Sequence, residues 1–232
     1  NSGHVRIYDY NGSAWTQLGT DIDGEAAGDL SGWSVSLSSD GSRVAIGAKD
    51  NAGNGSDSGH VRVFKYQVIS GTATWTQLGL DIDGEAANDY SGESVSLSSD
   101  GSRVAIGAVN NDNVYTGGNN DNRGHVRIYD YNGSAWVQVG ADIEGEATID
   151  YSGYSVSLSS DGSRLAISAQ YNDGNGDSSG HVRIYNYTPS GTTSWTQLGQ
   201  DIDGEAAGDA SGRSVSLSSD GSRVAIGAKD NA

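Results

Sequence analysis

The stretch GHVRIYDYNGSAWTQLG (3–19) returns as GHVRVFKYQVISGTATWTQLG (59–79), GHVRIYDYNGSAWVQVG (124–140) and GHVRIYNYTPSGTTSWTQLG (180–199). A second stretch, SVSLSSDGSRVAIGA (34–48), returns at 94–108, at 155–169 and at 214–228. A chain that repeats itself this closely is expected to fold as copies of one unit, each covering the apolar face of the next. His4, His60, His125 and His181 mark the phase, dividing the chain into repeats 3–58, 59–123, 124–179 and 180–232. Extra residues fall only at 67–73, 110–123 and 188–194, which are read as loops.

Within one unit the apolar period is two. Val5 and Ile7 alternate with Arg6 and Tyr8, and Val35 and Leu37 alternate with serines, the pattern of half-buried strands. SRVAIGA and AWTQLG supply two further strands, and Asn11-Gly12 and Asp40-Gly41 supply hairpin turns. No segment combines helical periodicity with caps. Thirty-five glycines against the single Pro189 fit short strands joined by tight turns. Four short strands per repeat predict an all-β protein, a β-propeller of four-stranded antiparallel blades, with a β-solenoid as the second choice.

The order of these strands resembles a known family. SGWSVSLSSDGSRVAIGAKDNAGNGSDSGHVRVFKY (31–66) is similar to the FG-GAP repeat of integrin α-subunit N-terminal propellers. Ser31-Gly32 stands where the family has Phe-Gly, Gly47-Ala48-Lys49 where it has Gly-Ala-Pro, and Gly59–Phe64 matches its third strand. SSDGSRVAIG also resembles the strand–turn–strand of WD40-like and TolB-like blades. The resemblance implies blades starting near 31, 91, 152 and 211, the last completed by residues 3–19. Four blades would then close a ring; the alternative is four units of a longer array, since propellers of this family commonly have seven. The absence of methionine predicts a processed or excised piece.

A formal net charge of −17 argues against nucleic acid and anionic membrane as partners. No apolar run is long enough for a membrane-spanning helix, so membrane insertion is not expected. The chain has no cysteine, which excludes disulfides, thiolate nucleophiles and cysteine metal sites. N-glycosylation sequons occur at Asn11, Asn54, Asn132 and Asn186.

The acidic stretch DIDGEAAGDLSG (21–32) raises the question of calcium. Asp21, Asp23, Glu25 and Asp29 recur as Asp81/Asp83/Glu85/Asp89, Asp142/Glu144/Glu146/Asp150 and Asp201/Asp203/Glu205/Asp209. Calcium needs six to eight converging oxygens, but Gly24 follows the second carboxylate rather than the third, so the loop turns too early. In the resembling family the calcium ligands lie in the first hairpin, here SSDGSR, where Asp40 is the only carboxylate. The expectation is therefore no cofactor and no metal, with the carboxylates serving a strand end beside arginines such as Arg6 or Arg43. DGNGD (Asp173, Asn175, Asp177) is better spaced but occurs cleanly once, and reads as a turn.

The four phase-locked histidines have no companion nucleophile and are expected to hydrogen-bond neighbouring turns as scaffold. Trp15, Trp75, Trp136 and Trp195 are expected to pack between blades, and the serines of SVSLSSDG form no triad. With no acid/base pair in view, the chain is expected not to be an enzyme.

Against this frame a few positions vary. The residues flanking Ser-Gly read Leu30/Trp33, Tyr90/Glu93, Tyr151/Tyr154 and Ala210/Arg213, and are expected to ring one end of the channel as a binding surface. The insertion 110–123 is a second contact element. The expected function is a non-catalytic, extracellular or cell-surface adhesion and assembly module that binds a protein ligand or associates with itself. The alternative is a lectin-like module that binds glycan through the rim aromatics.

Overall fold

The computed structural model describes residues 1–112, 121–189 and 194–231. All of its regular structure is strand. Residues 3–23 form β1 (His4–Val5), β2 (Tyr8–Tyr10), β3 (Trp15–Gln17) and β4 (Ile22–Asp23). A complete sheet follows, made of β5 (Ser34–Leu37), β6 (Arg43–Ala48), β7 (His60–Ile69), β8 (Thr72–Gln77) and β9 (Ile82–Asp83). The next sheet holds β10 (Ser91–Leu97), β11 (Arg103–Ala108), β12 (His125–Tyr131), β13 (Trp136–Gln138) and β14 (Ile143–Glu144). The third holds β15 (Val156–Leu158), β16 (Arg164–Ala169), β17 (His181–Tyr187), β18 (Trp195–Gln197) and β19 (Ile202–Asp203), and β20 (Ser211–Leu217) pairs with β21 (Val224–Ala228).

Each complete sheet is an antiparallel meander, ordered β5-β6-β7-β8 in the first case. The sequence pattern missed one strand per unit. In β9, Ile82 and Asp83 pair with Val61 and His60, extending the edge of β7 beside β8. Two residues are too few to show a period, yet this pairing ties the acidic connector to the histidine strand. The first strands of the successive sheets begin at Ser34, Ser91, Val156 and Ser211. Among the described residues β2 pairs with β3 and β20 with β21, and no ladder joins 3–19 to 211–228 as a shared closing blade would require.

Sheets stack face to face, and the core lies between them. In β6, Val44 and Ile46 pack with Ile7 and Ile22 of the preceding unit, while Ala45 meets Val95 and Leu97 of the following one. Large residues on one face and alanine on the other let the repeats nest at native density. Each fully buried Val or Ile contributes about 1.5–3 kcal/mol. Three of the four tryptophans bridge the same junctions as expected: the indole N–H groups of Trp75, Trp136 and Trp195 donate to the backbone carbonyls of Leu18, Leu78 and Val139, whereas Trp15 is exposed.

The serines of SVSLSSDG act as mortar. Ser34 Oγ donates to the carbonyl of Gly92, and Ser36 Oγ accepts from the Leu97 amide, each in the next unit. Backbone bonds from Ser39 to Ser99, Ser99 to Ser160 and Ser160 to Ser219 link successive hairpins. Arg43, expected to pair with the acidic connector, instead donates to the carbonyl of Gly101 in the next hairpin. These hairpin serines and Arg43 find their partners in the next repeat, which fixes the stacking register.

Candidate functional site

The variable corners converge. Trp33, Tyr90, Glu93, Tyr151, Tyr154 and Arg213, drawn from four successive repeats, line one cavity of ≈ 790 Å³. Leu30 and Ala210 are not in its lining, and Ala210 is buried. Sequence comparison between the units missed Lys49, Ile149 and Tyr171, which also line the cavity. The same signal could have found them, because Lys49/Val109/Gln170/Lys229, Gly28/Asn88/Ile149/Gly208 and Asp50/Asn110/Tyr171/Asp230 also differ between units. The middle of the 110–123 insertion, residues 113–120, lies outside the described residues.

Backbone strain concentrates here. Leu30, Tyr90, Tyr151 and Ala210 adopt φ of 55°, 55°, 53° and 50°, the left-handed region that side chains disfavour. Ile149, a β-branched residue, stands at 67°. Inside the cavity Lys49 Nζ lies 3.8 Å from the Trp33 ring centroid and 3.2 Å from the Glu93 carboxylate. Arg213 covers Tyr154 at 4.6 Å, and Tyr151 meets Tyr171 edge-on at 5.4 Å. Two cations thus rest on aromatic faces.

The acidic connector that leads into this corner divides its labour. Gly24, Gly84, Gly145 and Gly204 let the connector pass so close to the start of its own repeat's histidine strand that a Cβ would lie 2.1, 1.9, 2.2 and 2.0 Å from the carbonyl oxygens of Ser2, Ser58, Arg123 and Ser179. The glycine serves close approach rather than a calcium turn. Asp29, Asp89, Asp150 and Asp209 are buried turn-holders, each accepting from a nearby alanine amide and from the side chain of Asn51, Asn111, Asn172 or Asn231. Arg6 pairs with Asp21 as expected. The backbone carbonyls of Asp23, Asp83 and Glu144 accept from Arg62, Arg127 and Arg183 of the next repeat. Burial, then Asp142 and Glu85, pushes the Glu144 carboxyl up to about 7.

Glu25 reaches into the next repeat, where it meets His60 and Asp81. Glu85 meets His125 and Asp142, and Glu146 meets His181 and Asp201, in the same arrangement. His125 and His181 do not hydrogen-bond turns: both ring nitrogens of each are buried without a hydrogen-bond partner. Burial, followed by Arg127, pushes His125 down to about 3, and burial likewise lowers His60 and His181.

The hairpin that would hold calcium in the resembling family does not fit the ion. Asp40 Oδ1 accepts from Ser38 Oγ and the Ser42 amide, and Oδ2 from Ser42 Oγ, so its oxygens are already engaged. Those bonds, the Ser42 amide first, hold the carboxyl down at about 2. DGNGD is a turn, as expected: Asn175 Nδ2 donates to the carbonyls of Gly204 and Glu205.

No curated protein matches the chain. Among solved structures, one from Bacteroides uniformis ATCC 8492, described as a putative 6-phosphogluconolactonase, superposes with a TM-score of 0.58 at 14% identity. The match covers 97% of this chain but 61% of that one, so the chain spans less than two thirds of its length. This corrects the expectation that the chain is not an enzyme, because the architecture is shared with a protein described as a lactonase. At this identity the two share the fold alone. The physical reason for the error is that titratable groups far apart in sequence meet only across repeat junctions, so a missing local acid/base pair excludes nothing. The family description "FG-GAP repeat" matches residues 20–64, the span from the acidic connector to the third strand. Residues 20–64 therefore carry an FG-GAP repeat, as the order of their strands suggested.

Proposed function

We propose that the chain is a β-propeller-type repeat scaffold that presents the cavity of variable residues to a protein ligand at the cell surface. The observation that carries this reading is that positions differing between otherwise near-identical repeats line one cavity, while the invariant positions hold the frame. The first strands β5, β10, β15 and β20 lie successively side by side, as blades around an axis would place them. Trp33, Tyr154 and Arg213 are residue types enriched at interface hot spots. An adhesion module of this kind also accommodates self-association through the sheet faces at its two ends, which light scattering over a range of concentrations tests.

A display library of random peptides selected on the purified chain tests the ligand reading. Enriched sequences should bind the wild type and lose at least about tenfold in affinity, or 1.4 kcal/mol, with Trp33→Ala plus Tyr154→Ala. Binding that survives both substitutions would remove the cavity from the reading. The lectin alternative rests on the half-exposed Trp33 and on Tyr90, Tyr151 and Tyr154, although Lys49 and Arg213 lie over two of those rings. A broad glycan array decides it, since signal lost with Trp33→Ala would favour glycan over protein.

A further inference from the structure

We propose that each junction between consecutive repeats is a binding site for a divalent transition-metal ion, held by a glutamate of one repeat and a histidine and aspartate of the next. The three sites are Glu25–His60–Asp81, Glu85–His125–Asp142 and Glu146–His181–Asp201. In each, one ligand atom per residue lies within 4.8 Å of the others.

The geometry is the same three times. His125 Nδ1 is 3.9 Å from Glu85 Oε2 and 3.9 Å from Asp142 Oδ2. His60 repeats those distances with Glu25 and Asp81, and His181 lies 3.9 Å from Glu146 and 3.7 Å from Asp201. These gaps are too long for hydrogen bonds. They suit an ion placed between the groups: two bonds of about 2.1 Å span up to about 4.2 Å. The histidine–carboxylate gaps already lie within that reach, and the half-exposed glutamate side chain is free to adjust toward the aspartate.

Orientation is a second, independent argument. Each carboxylate has one oxygen occupied by a donor of the chain and turns the other toward the imidazole. Gln77, Gln138 and Gln197 donate to Oδ1 of Asp81, Asp142 and Asp201, leaving Oδ2 facing the ring. Arg62, Arg127 and Arg183 lie 3.5, 3.5 and 3.4 Å from Oε1 of Glu25, Glu85 and Glu146, leaving Oε2 facing it. Outer partners of this kind orient metal ligands.

The third argument is the imidazole itself. His125 and His181 have side chains 1% exposed, and Nδ1 of each points at two carboxylates without a hydrogen-bond partner. A buried polar atom with no partner is destabilising, and a bond to an ion would relieve it at Nδ1. Glutamate, aspartate and arginine leave the junction one negative charge in excess, which favours a cation. One imidazole with two carboxylates suits zinc-like ions better than calcium, which takes six to eight oxygens.

Three such triads lie among the described residues, so the expected stoichiometry for these repeats is three ions.

Titrating the chelator-treated protein with Zn²⁺ in a calorimeter, with Ca²⁺ as comparison, tests the assignment. The expected result is three equivalents of Zn²⁺, a Tm raised by several degrees, and no saturable Ca²⁺ uptake. Glu85→Gln and Asp142→Asn alter partly exposed side chains, so each should fold and bind two equivalents; His125→Gln changes a buried residue and is judged by the same count only if its far-ultraviolet spectrum is native. No saturable Zn²⁺ uptake into the millimolar range would overturn the proposal. Three equivalents retained in both carboxylate variants would overturn it equally, by placing the ions elsewhere.

Discussion

Leu37 and Leu97 occupy the same position in the same motif, SVSLSSDGSR, yet Leu37 is 50% exposed and Leu97 is 7% exposed. Trp15 and Trp75 make the same comparison, at 68% and 8%. The difference is the neighbour. Leu97 faces Val61 and Val63 of the sheet before it, whereas β5 faces no complete sheet, since residues 3–23 contribute no first strand. Interior and terminal repeats therefore share local structure and differ in packing, as expected when each repeat is stabilised mainly by its interface with the next.

Substitution at paired positions should break this comparison if it is wrong. Trp75→Ala removes a buried indole and its bond to Leu18, and should cost about 3–5 kcal/mol, while Trp15→Ala should stay within about 0.5 kcal/mol; urea unfolding measures both. Leu97→Ala should cost about 2–4 kcal/mol and Leu37→Ala less than about 0.5 kcal/mol. Equal effects at the two leucines would mean that in solution the first sheet is covered, as a second copy of the chain would cover it.

The smallest effect is one that interior and terminal repeats share. The turn aspartates Asp40 and Asp220 are held down at about 2, Asp40 chiefly by the Ser42 amide and Asp220 chiefly by the Ser218 hydroxyl, and Asp161 is lowered chiefly by the Ser163 amide. A folded value below the ordinary one, about 3.9, stabilises the fold above that value, and the gain disappears as pH falls toward 2. Tm should therefore fall between roughly pH 4 and pH 2, and Asp161→Asn should flatten the slope slightly. An unchanged slope in that variant would show that other carboxylates govern acid unfolding.

Much of the architecture was legible because near-identical units force near-identical surroundings. The alternation of Val35 and Leu37 with serine, the Asp40-Gly41 turn and three of the four junction tryptophans read correctly from the residues, Trp15 being the exception. The cavity was half legible: variation between units pointed to Trp33, Tyr154 and Arg213, but comparing only the positions beside Ser-Gly missed Lys49 and Ile149. The histidines were misread. Taken along the chain, His60 has no companion, because Glu25 lies 35 residues earlier in another repeat and Asp81 enters through a strand of two residues.

The chain's own periodicity dictated strands, turns and repeat, because side-chain alternation and glycine placement act over a few residues. Packing of one repeat on the next decided which copy of Leu-Ser-Ser is core, which corner residues share a cavity, and which carboxylate meets which imidazole. Those outcomes depend on the stacking register, which hydrogen bonds such as Ser34 to Gly92 and Ser39 to Ser99 set between residues nearly sixty positions apart.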